Sequence, residues 1–136
     1  MNGQPNTSPL IRDYDQGGFT IGDDFHPGSV LINGEEGEGF SIQSWPVNDP
    51  EALTVTDFTV LLESPQRPDL IRLGVGEQMN HPFAKLRMAM TGAGIPLEVQ
   101  STPAICRTWN LLLSEGRRVA LAAIPLGQKE ALENNS

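Results

Sequence analysis

The segment DLIRLGVGEQMNHPFAKLRMAMTGAGIPLEVQ, residues 69–100, decides the fold class of this chain. Short β-prone runs at its two ends predict strands at 70–73 and 96–100. Between them, apolar residues at helical spacing and a proline suited to a first turn predict an amphipathic helix at 82–91. A strand, a helix and a second strand in this order form a right-handed crossover between two parallel strands.

The next segment, TPAICRTWNLLLSEGRRVALAAI, residues 102–124, extends the pattern by a helix and a strand. Thr102 is predicted to cap the helix and Pro103 to occupy its first position. Gly116 ends the helix and RVALAAI forms the last strand. The short link between them allows that strand to return parallel to its neighbours or to run in the opposite direction.

The first half of the chain predicts a β-meander or hairpin set, because GGFTIG, GSVLIN and GFSIQSW are short β-prone runs separated by turn residues. LTVTDFTVLLES, which begins at Leu53, adds a helix with Thr54 or Thr56 as its cap. The fold class is therefore α/β: a single domain over residues 10–126 with a mixed sheet and two or three helices. Residues 1–9 and 127–136 are expected to be flexible termini.

Composition excludes several classes of function. The 136 residues carry a formal net charge of −8, so nucleic acid is not expected as a partner. No apolar run approaches the roughly 20 residues of a membrane span, and the N-terminus lacks the apolar core of a signal peptide. One cysteine permits no internal disulfide. We therefore expect a cytoplasmic bacterial protein that does not span a membrane.

The crossover predicts where ligands would bind. It brings the turn Gly74-Val75-Gly76 close to Ser101-Thr102, because the carboxyl ends of parallel strands meet at one edge of the sheet. Cys106 and Arg107 lie in or just beyond the first turn of the following helix. The sequence thus predicts that LGVGE and STPAICR share one rim of the molecule.

Cys106 has two interpretations. A helix N-terminus and the adjacent Arg107 would lower the pKa of a thiol, and His81 would approach the same rim as a base, which makes Cys106 and His81 catalytic candidates. Alternatively, Cys106 packs as a small apolar residue, as free cysteines commonly do. One cysteine and two histidines at scattered positions do not form zinc spacing, so no metal site is predicted.

Arg107 also has two interpretations: it binds an anion, or it pairs with Glu98 or Glu115 as part of the scaffold. Thr108 and Asn110 are poor interior helix formers, which indicates specific hydrogen bonds by their side chains. No cofactor is predicted. The candidates for binding a ligand or partner are Gly74, Gly76, Thr102, Cys106, Arg107, Thr108 and Asn110.

The chain resembles a small α/β family of uncertain function over about residues 12–126. The blocks that carry the resemblance run from GGFTIG through PDLIRLGVGEQ to GIPLEVQSTPAICRTWNLLLSEGRRVALAAI. The family's eukaryotic members include a mitochondrial respiratory complex I assembly factor, assembly factor 3. The resemblance implies a three-layer domain with a mixed central sheet of about five strands, one antiparallel to the others. Val75 and Trp109 depart from the family, where a threonine and a tyrosine are usual.

Three functional hypotheses follow. The first, implied by the resemblance, is a non-enzymatic interaction or assembly factor that docks to a protein partner, such as an assembly protein of a respiratory or membrane complex. The second is a small enzyme or anion-binding protein that uses the Cys106 and Arg107 rim. The third is a structural domain that oligomerises through its exposed meander. The sequence leaves the oligomeric state open.

Overall fold

A computed structural model describes residues 9–15, 17–35, 39–112 and 118–126. The predicted flexible termini lie outside this part of the chain, apart from Pro9. The described strands are β1 (Ile11–Tyr14), β2 (Gly18–Ile21), β3 (Asp24–Pro27), β4 (Ser29–Glu35), β5 (Gly39–Trp45), β6 (Leu70–Val75), β7 (Leu97–Gln100) and β8 (Val119–Ile124). The described helices are α1 (Thr59–Leu62), α2 (Ala84–Ala93) and α3 (Thr102–Leu112), with 3-10 turns at Pro50–Ala52 and Val55–Phe58.

The central layer is a mixed sheet of five strands in the order β5-β4-β8-β6-β7. Strand β6 pairs in parallel with both β7 and β8. Strand β4 pairs antiparallel with β5 and with β8. Thus β4 runs opposite to its four companions, which confirms the mixed sheet and identifies the reversed strand. The last strand, whose direction the sequence left open, is parallel to β6.

Two hydrophobic clusters cover opposite faces of this sheet and create the three layers. On the α2 face, Phe58 and Leu61 join Leu86 and Met90 of α2 against the sheet. On the α3 face, the apolar side of α3 packs together with residues of a second, antiparallel sheet, β1-β2-β3. The predicted α/β class and N-terminal meander are confirmed. The α3 face holds Cys106, one of the predicted site residues, together with Ile105 and Trp109.

One predicted helix start is confirmed and the other is wrong. After Leu53 the chain forms a 3-10 turn, Val55–Phe58, with Thr54 as its N-cap, and this turn leads into the short α1. The carboxylate of Asp57 accepts a hydrogen bond from the Thr54 backbone N–H. Helix α2 begins at Ala84, so Pro82 lies outside it. The reason is Phe83, whose backbone takes a left-handed φ of 52° and whose side chain is buried. A residue in that conformation cannot belong to the helix, so the helix starts after it.

Strand β6 also runs further than predicted, because Gly74 and Val75 belong to the strand and the turn begins at Gly76, with φ 101°. Helix α3 crosses β6 closely at Gly74. A Cβ atom at Gly74 would lie 2.9 Å from both Ile105 Cγ2 and Thr102 Oγ1. Glycine is therefore required here by the distance between α3 and the sheet.

This close approach can be tested by Gly74→Ala. The added methyl group should push α3 away from β6 and lower the free energy of unfolding by about 1–3 kcal/mol, measured by urea denaturation. Gly92→Ala is a matched control, because a Cβ at that helical position meets nothing within 4 Å. We expect it to raise stability by about 0.5–1 kcal/mol. Equal effects at the two positions would contradict the proposed role of Gly74.

Candidate functional site at the carboxyl edge of the sheet

Thr102 is the centre of the predicted rim, but its side chain does not cap α3. The Ser101 carbonyl and hydroxyl accept hydrogen bonds from the first turn instead, at 2.9 Å from Ile105 N and 3.4 Å from Ala104 N. The fully buried Thr102 hydroxyl donates to the Ile124 carbonyl at 2.6 Å and accepts from Gly76 N–H at 2.9 Å. The predicted cap is thus wrong, because tertiary partners take the hydroxyl.

The structure does bring Gly74, Gly76 and Thr102 together, as the crossover predicted. Besides the side-chain contact, the Thr102 backbone N–H donates to the Gly76 carbonyl at 2.7 Å. The two hydrogen bonds between these residues join the end of β6 to the start of α3. We call this set of contacts, including the one to Ile124 at the end of β8, the Thr102 junction. Its polar groups are occupied with one another.

The Thr102 junction can be tested by Thr102→Val, which keeps the side-chain shape and removes the hydroxyl. The buried N–H of Gly76 and the carbonyl of Ile124 would each lose this partner, so the free energy of unfolding should fall by about 2–4 kcal/mol. The control Thr102→Ser keeps both hydrogen bonds and should cost about 1 kcal/mol. If chemical denaturation gave the same loss of unfolding free energy for both variants, the hydroxyl would contribute little to stability.

Cys106 is buried, with 2% of its surface exposed, in the cluster between α3 and the sheet. Burial raises the pKa of its thiol to about 12, and the positive charge of Arg107 offsets only part of this effect. The predicted lowering of this pKa is therefore wrong, since burial outweighs the adjacent cation. The structure instead matches the interpretation of Cys106 as a small apolar packing residue.

His81, the proposed base, has other partners. Its Nε2 lies 2.9 Å from Glu51 Oε1, its Nδ1 accepts a hydrogen bond from Phe83 N–H, and its ring stacks on Phe83 at 3.9 Å. These contacts tie the segment before α2 to the 3-10 turn at Pro50–Ala52. No hydrogen bond between His81 and Cys106 exists in the part of the chain that the structure describes.

The burial of Cys106 predicts its reactivity. In the folded protein, iodoacetamide should label it negligibly from pH 7 to pH 10, since the thiol is both protonated and inaccessible. After unfolding in urea, labelling should follow an ordinary thiol with a pKa of roughly 8.5. Mass spectrometry of the intact chain measures the extent. Rapid labelling of folded protein at pH 7 would contradict the buried position and restore Cys106 as a nucleophile.

The remaining polar residues of α3 make structural contacts. The Thr108 hydroxyl donates back to the Ala104 carbonyl at 3.0 Å. The side-chain amide of Asn110 accepts from Ile11 N–H and donates to Ile11 C=O, both at 2.9 Å, as a neighbouring strand would. Trp109 Nε1 donates to the Pro9 carbonyl at 2.9 Å. These residues therefore attach the N-terminal segment and β1 to α3.

Arg107 is the exception among the candidates, since it is exposed on α3. Glu98, one of its predicted partners, pairs with Arg72 across β6 and β7 instead. The other, Glu115, lies outside the described residues. Arg107 makes no side-chain hydrogen bond or ion pair with any described residue. Among the predicted binding candidates, Arg107 is the residue that the structure shows as exposed.

A metal site and a membrane-spanning helix each have requirements that can be compared with the described ranges. No group of three or more metal-ligating side chains occurs there. No helix among the same residues is long and apolar enough to cross a membrane.

Sequence reasoning missed a surface groove of about 220 Å³ beside β5, on the α2 face. Its lining includes Leu31, Trp45 and the half-exposed Val60. The sequence did contain a signal for it. GFSIQSW, residues 39–45, is a strand without a charged residue or a proline, which is uncommon at the edge of a sheet.

The class of protein follows from the comparison with known families. Residues 11–124 match a family described as a protein of unknown function (DUF498/DUF598). The chain belongs to this family, and the match covers the described domain from β1 to β8.

Individual relatives agree with this assignment. The chain is 28% identical over 127 residues to a rat protein, NADH dehydrogenase [ubiquinone] 1 alpha subcomplex assembly factor 3. The matched region covers 92% of this chain and 65% of the rat protein. It thus spans just under two thirds of that relative. An uncharacterised Rhodobacter capsulatus protein is 31% identical, with 85% of this chain and 84% of that protein covered. The NMR structure of a Xanthomonas campestris protein superposes with a TM-score of 0.69 at 29% identity, over 91% of this chain and 89% of the other.

Proposed function

We propose that this chain is a non-enzymatic protein-interaction factor that assists the assembly of a respiratory complex in the bacterial cytoplasm. It would bind an assembly intermediate or another assembly protein and leave when the complex is complete. The observation that carries the proposal is the similarity to complex I assembly factor 3 along 92% of this chain.

The contacts of the predicted rim support a binding role over a catalytic one. Thr102, Thr108 and Asn110 use their polar groups within the fold. Gly74 allows the close contact between β6 and α3, and Gly76 donates its backbone N–H to the Thr102 hydroxyl. Because these polar groups bond to other parts of the fold, we infer that the rim stabilises the domain. Partners would then bind to its outer surfaces. Arg107 remains our proposal for a partner contact on this side.

The alternative of a small enzyme or anion-binding protein receives less support. It required a thiolate at Cys106, whereas burial raises the pKa of that thiol to about 12. It also required His81 beside the thiol, whereas His81 contacts Glu51 and Phe83. Arg107 alone, exposed on a helix surface, does not form a site.

Deletion of the gene in a bacterium that encodes this chain and NADH:ubiquinone oxidoreductase tests the proposal. We expect the assembled oxidoreductase, measured on native gels, to fall several-fold, and assembly intermediates to accumulate. Its NADH-dependent activity in membranes should fall in proportion. Complementation with Cys106→Ala should restore assembly, because the proposed role needs no thiol. Normal levels of the oxidoreductase in the deletion strain would disprove the proposal, and failure of Cys106→Ala alone, with normal folding, would support the enzymatic alternative.

A further inference from the structure

We propose that β5 is a docking edge for a basic, extended segment of a partner protein, which adds to the sheet as a sixth strand. This inference rests on the proposed interaction function and specifies the surface and the chemistry of the partner. The segment would pair with the backbone of β5 and place an apolar side chain in the groove beside it.

The backbone of β5 is suited to strand addition. β5 is the outermost strand on its side of the sheet and pairs with β4 in regular register over seven residue pairs, from Ser29↔Trp45 to Glu35↔Gly39. Its opposite edge pairs with no other described strand. A regular strand of this length offers a continuous row of backbone donors and acceptors to an incoming strand.

The other edges of the two sheets carry features that prevent such pairing. Strand β7 has four residues, contains Glu98 and directly follows Pro96. Strand β3 contains Asp24 and ends at Pro27. Short strands, charges and prolines protect edges against unwanted partners.

Strand β1 is protected in a different way, because its register shifts and the Asn110 amide occupies the backbone of Ile11. By contrast, β5 has no charge, no proline and no register shift. Among the edge strands that the structure describes, β5 alone lacks these protections, which marks it as the edge available to a partner.

The groove beside β5 matches the side chain of an added strand. Leu31 and Trp45 of the sheet line the groove although they are only 2% and 4% exposed, and Val60 of α1, which is 56% exposed, offers accessible apolar surface. Its volume of about 220 Å³ is below the range of roughly 300–1,000 Å³ typical of small-molecule sites. One or two apolar side chains are therefore better occupants than a metabolite.

Charge determines which kind of segment fits. Asp57 lines this groove and also an adjoining cavity of about 160 Å³, which Asp49 lines as well. Neither cavity is lined by a described lysine or arginine. A second copy of the chain would bring the same acidic residues and a net charge of −8 to the contact. Lysine or arginine on the partner segment is favoured instead.

Selection of random nine-residue peptides displayed on phage against the purified full-length chain tests the inference. We expect the selected peptides to carry net positive charge, to alternate apolar and polar residues, and to lack a central proline. Their synthetic forms should slow amide hydrogen exchange in residues 39–45. Acidic peptides, protection elsewhere with none in β5, or no selected peptide would overturn the inference.

Variants at the exposed Gln43, which lines the groove, separate edge pairing from general charge attraction. Gln43→Lys should weaken peptide binding by about tenfold or more, because it opposes a basic segment at the contact. Gln43→Glu should leave binding unchanged or stronger. Met88→Lys is the matched control, since it adds the same charge at a position 75% exposed on α2, and it should change binding less than twofold. Circular dichroism verifies folding of each variant, and equal binding by all three would contradict the inference.

Sedimentation velocity tests whether a second copy of the chain, instead of a partner protein, occupies the β5 edge. A dimer of the wild-type chain that Gln43→Lys abolishes would assign the edge to a second copy and overturn the inference; a monomer supports it.

The deletion experiment above is independent. Normal respiratory assembly together with peptides that protect β5 would refute the assembly role while leaving the docking edge in place. Defective assembly with no peptide on β5 would do the reverse.

Discussion

The whole arrangement depends on the contact between Gly74 and Thr102. Because Gly74 has no side chain, α3 can approach β6 closely enough for the Thr102 hydroxyl to bond both Gly76 and Ile124. These bonds connect the ends of two neighbouring parallel strands to one helix, which fixes the position of α3 along the sheet. The other end of α3 then carries Trp109 and Asn110 to the N-terminal segment. The contacts at Thr102 fix the start of α3, and about two turns later the same helix holds the second sheet through Trp109 and Asn110.

This dependence gives the motif TPAICRTWN, residues 102–110, a structural meaning. A cysteine beside an arginine near a helix start suggests a nucleophile, yet each residue type is explained by its depth in the fold. Cys106 fills a small space beneath α3, where a charged thiolate would be costly. Asn110 replaces a missing strand at the backbone of Ile11, which a carboxylate could not do because it cannot donate a hydrogen bond. Specific residues at this site therefore serve the assembly of the domain itself.

The sequence predicted the features that arise from local periodicity and chain direction. The crossover from β6 to β7 followed from two short apolar runs around a helical one, and it correctly placed Gly74 and Gly76 beside Thr102. What it could not predict were choices between local and distant hydrogen bonds. Thr102 before a proline looks like a cap, and only the folded chain shows that partners 22 and 26 residues away take its hydroxyl. Nor does composition reveal the left-handed backbone of Phe83 that delays α2. The unprotected β5 was readable in principle, since the absence of charge in residues 39–45 is visible in the sequence.

The net charge of −8 and the open edge of β5 are linked by one physical argument. An unprotected strand is a hazard, because identical chains can pair through it and aggregate. Acidic residues such as Asp49 and Asp57 next to that edge repel a second copy at close range without placing any charge on the strand itself. The same repulsion becomes attraction for a basic segment. Acidic residues beside the strand would thus repel a second copy of the chain and attract a basic partner segment. A proline or lysine within the strand itself would instead hinder pairing with either one.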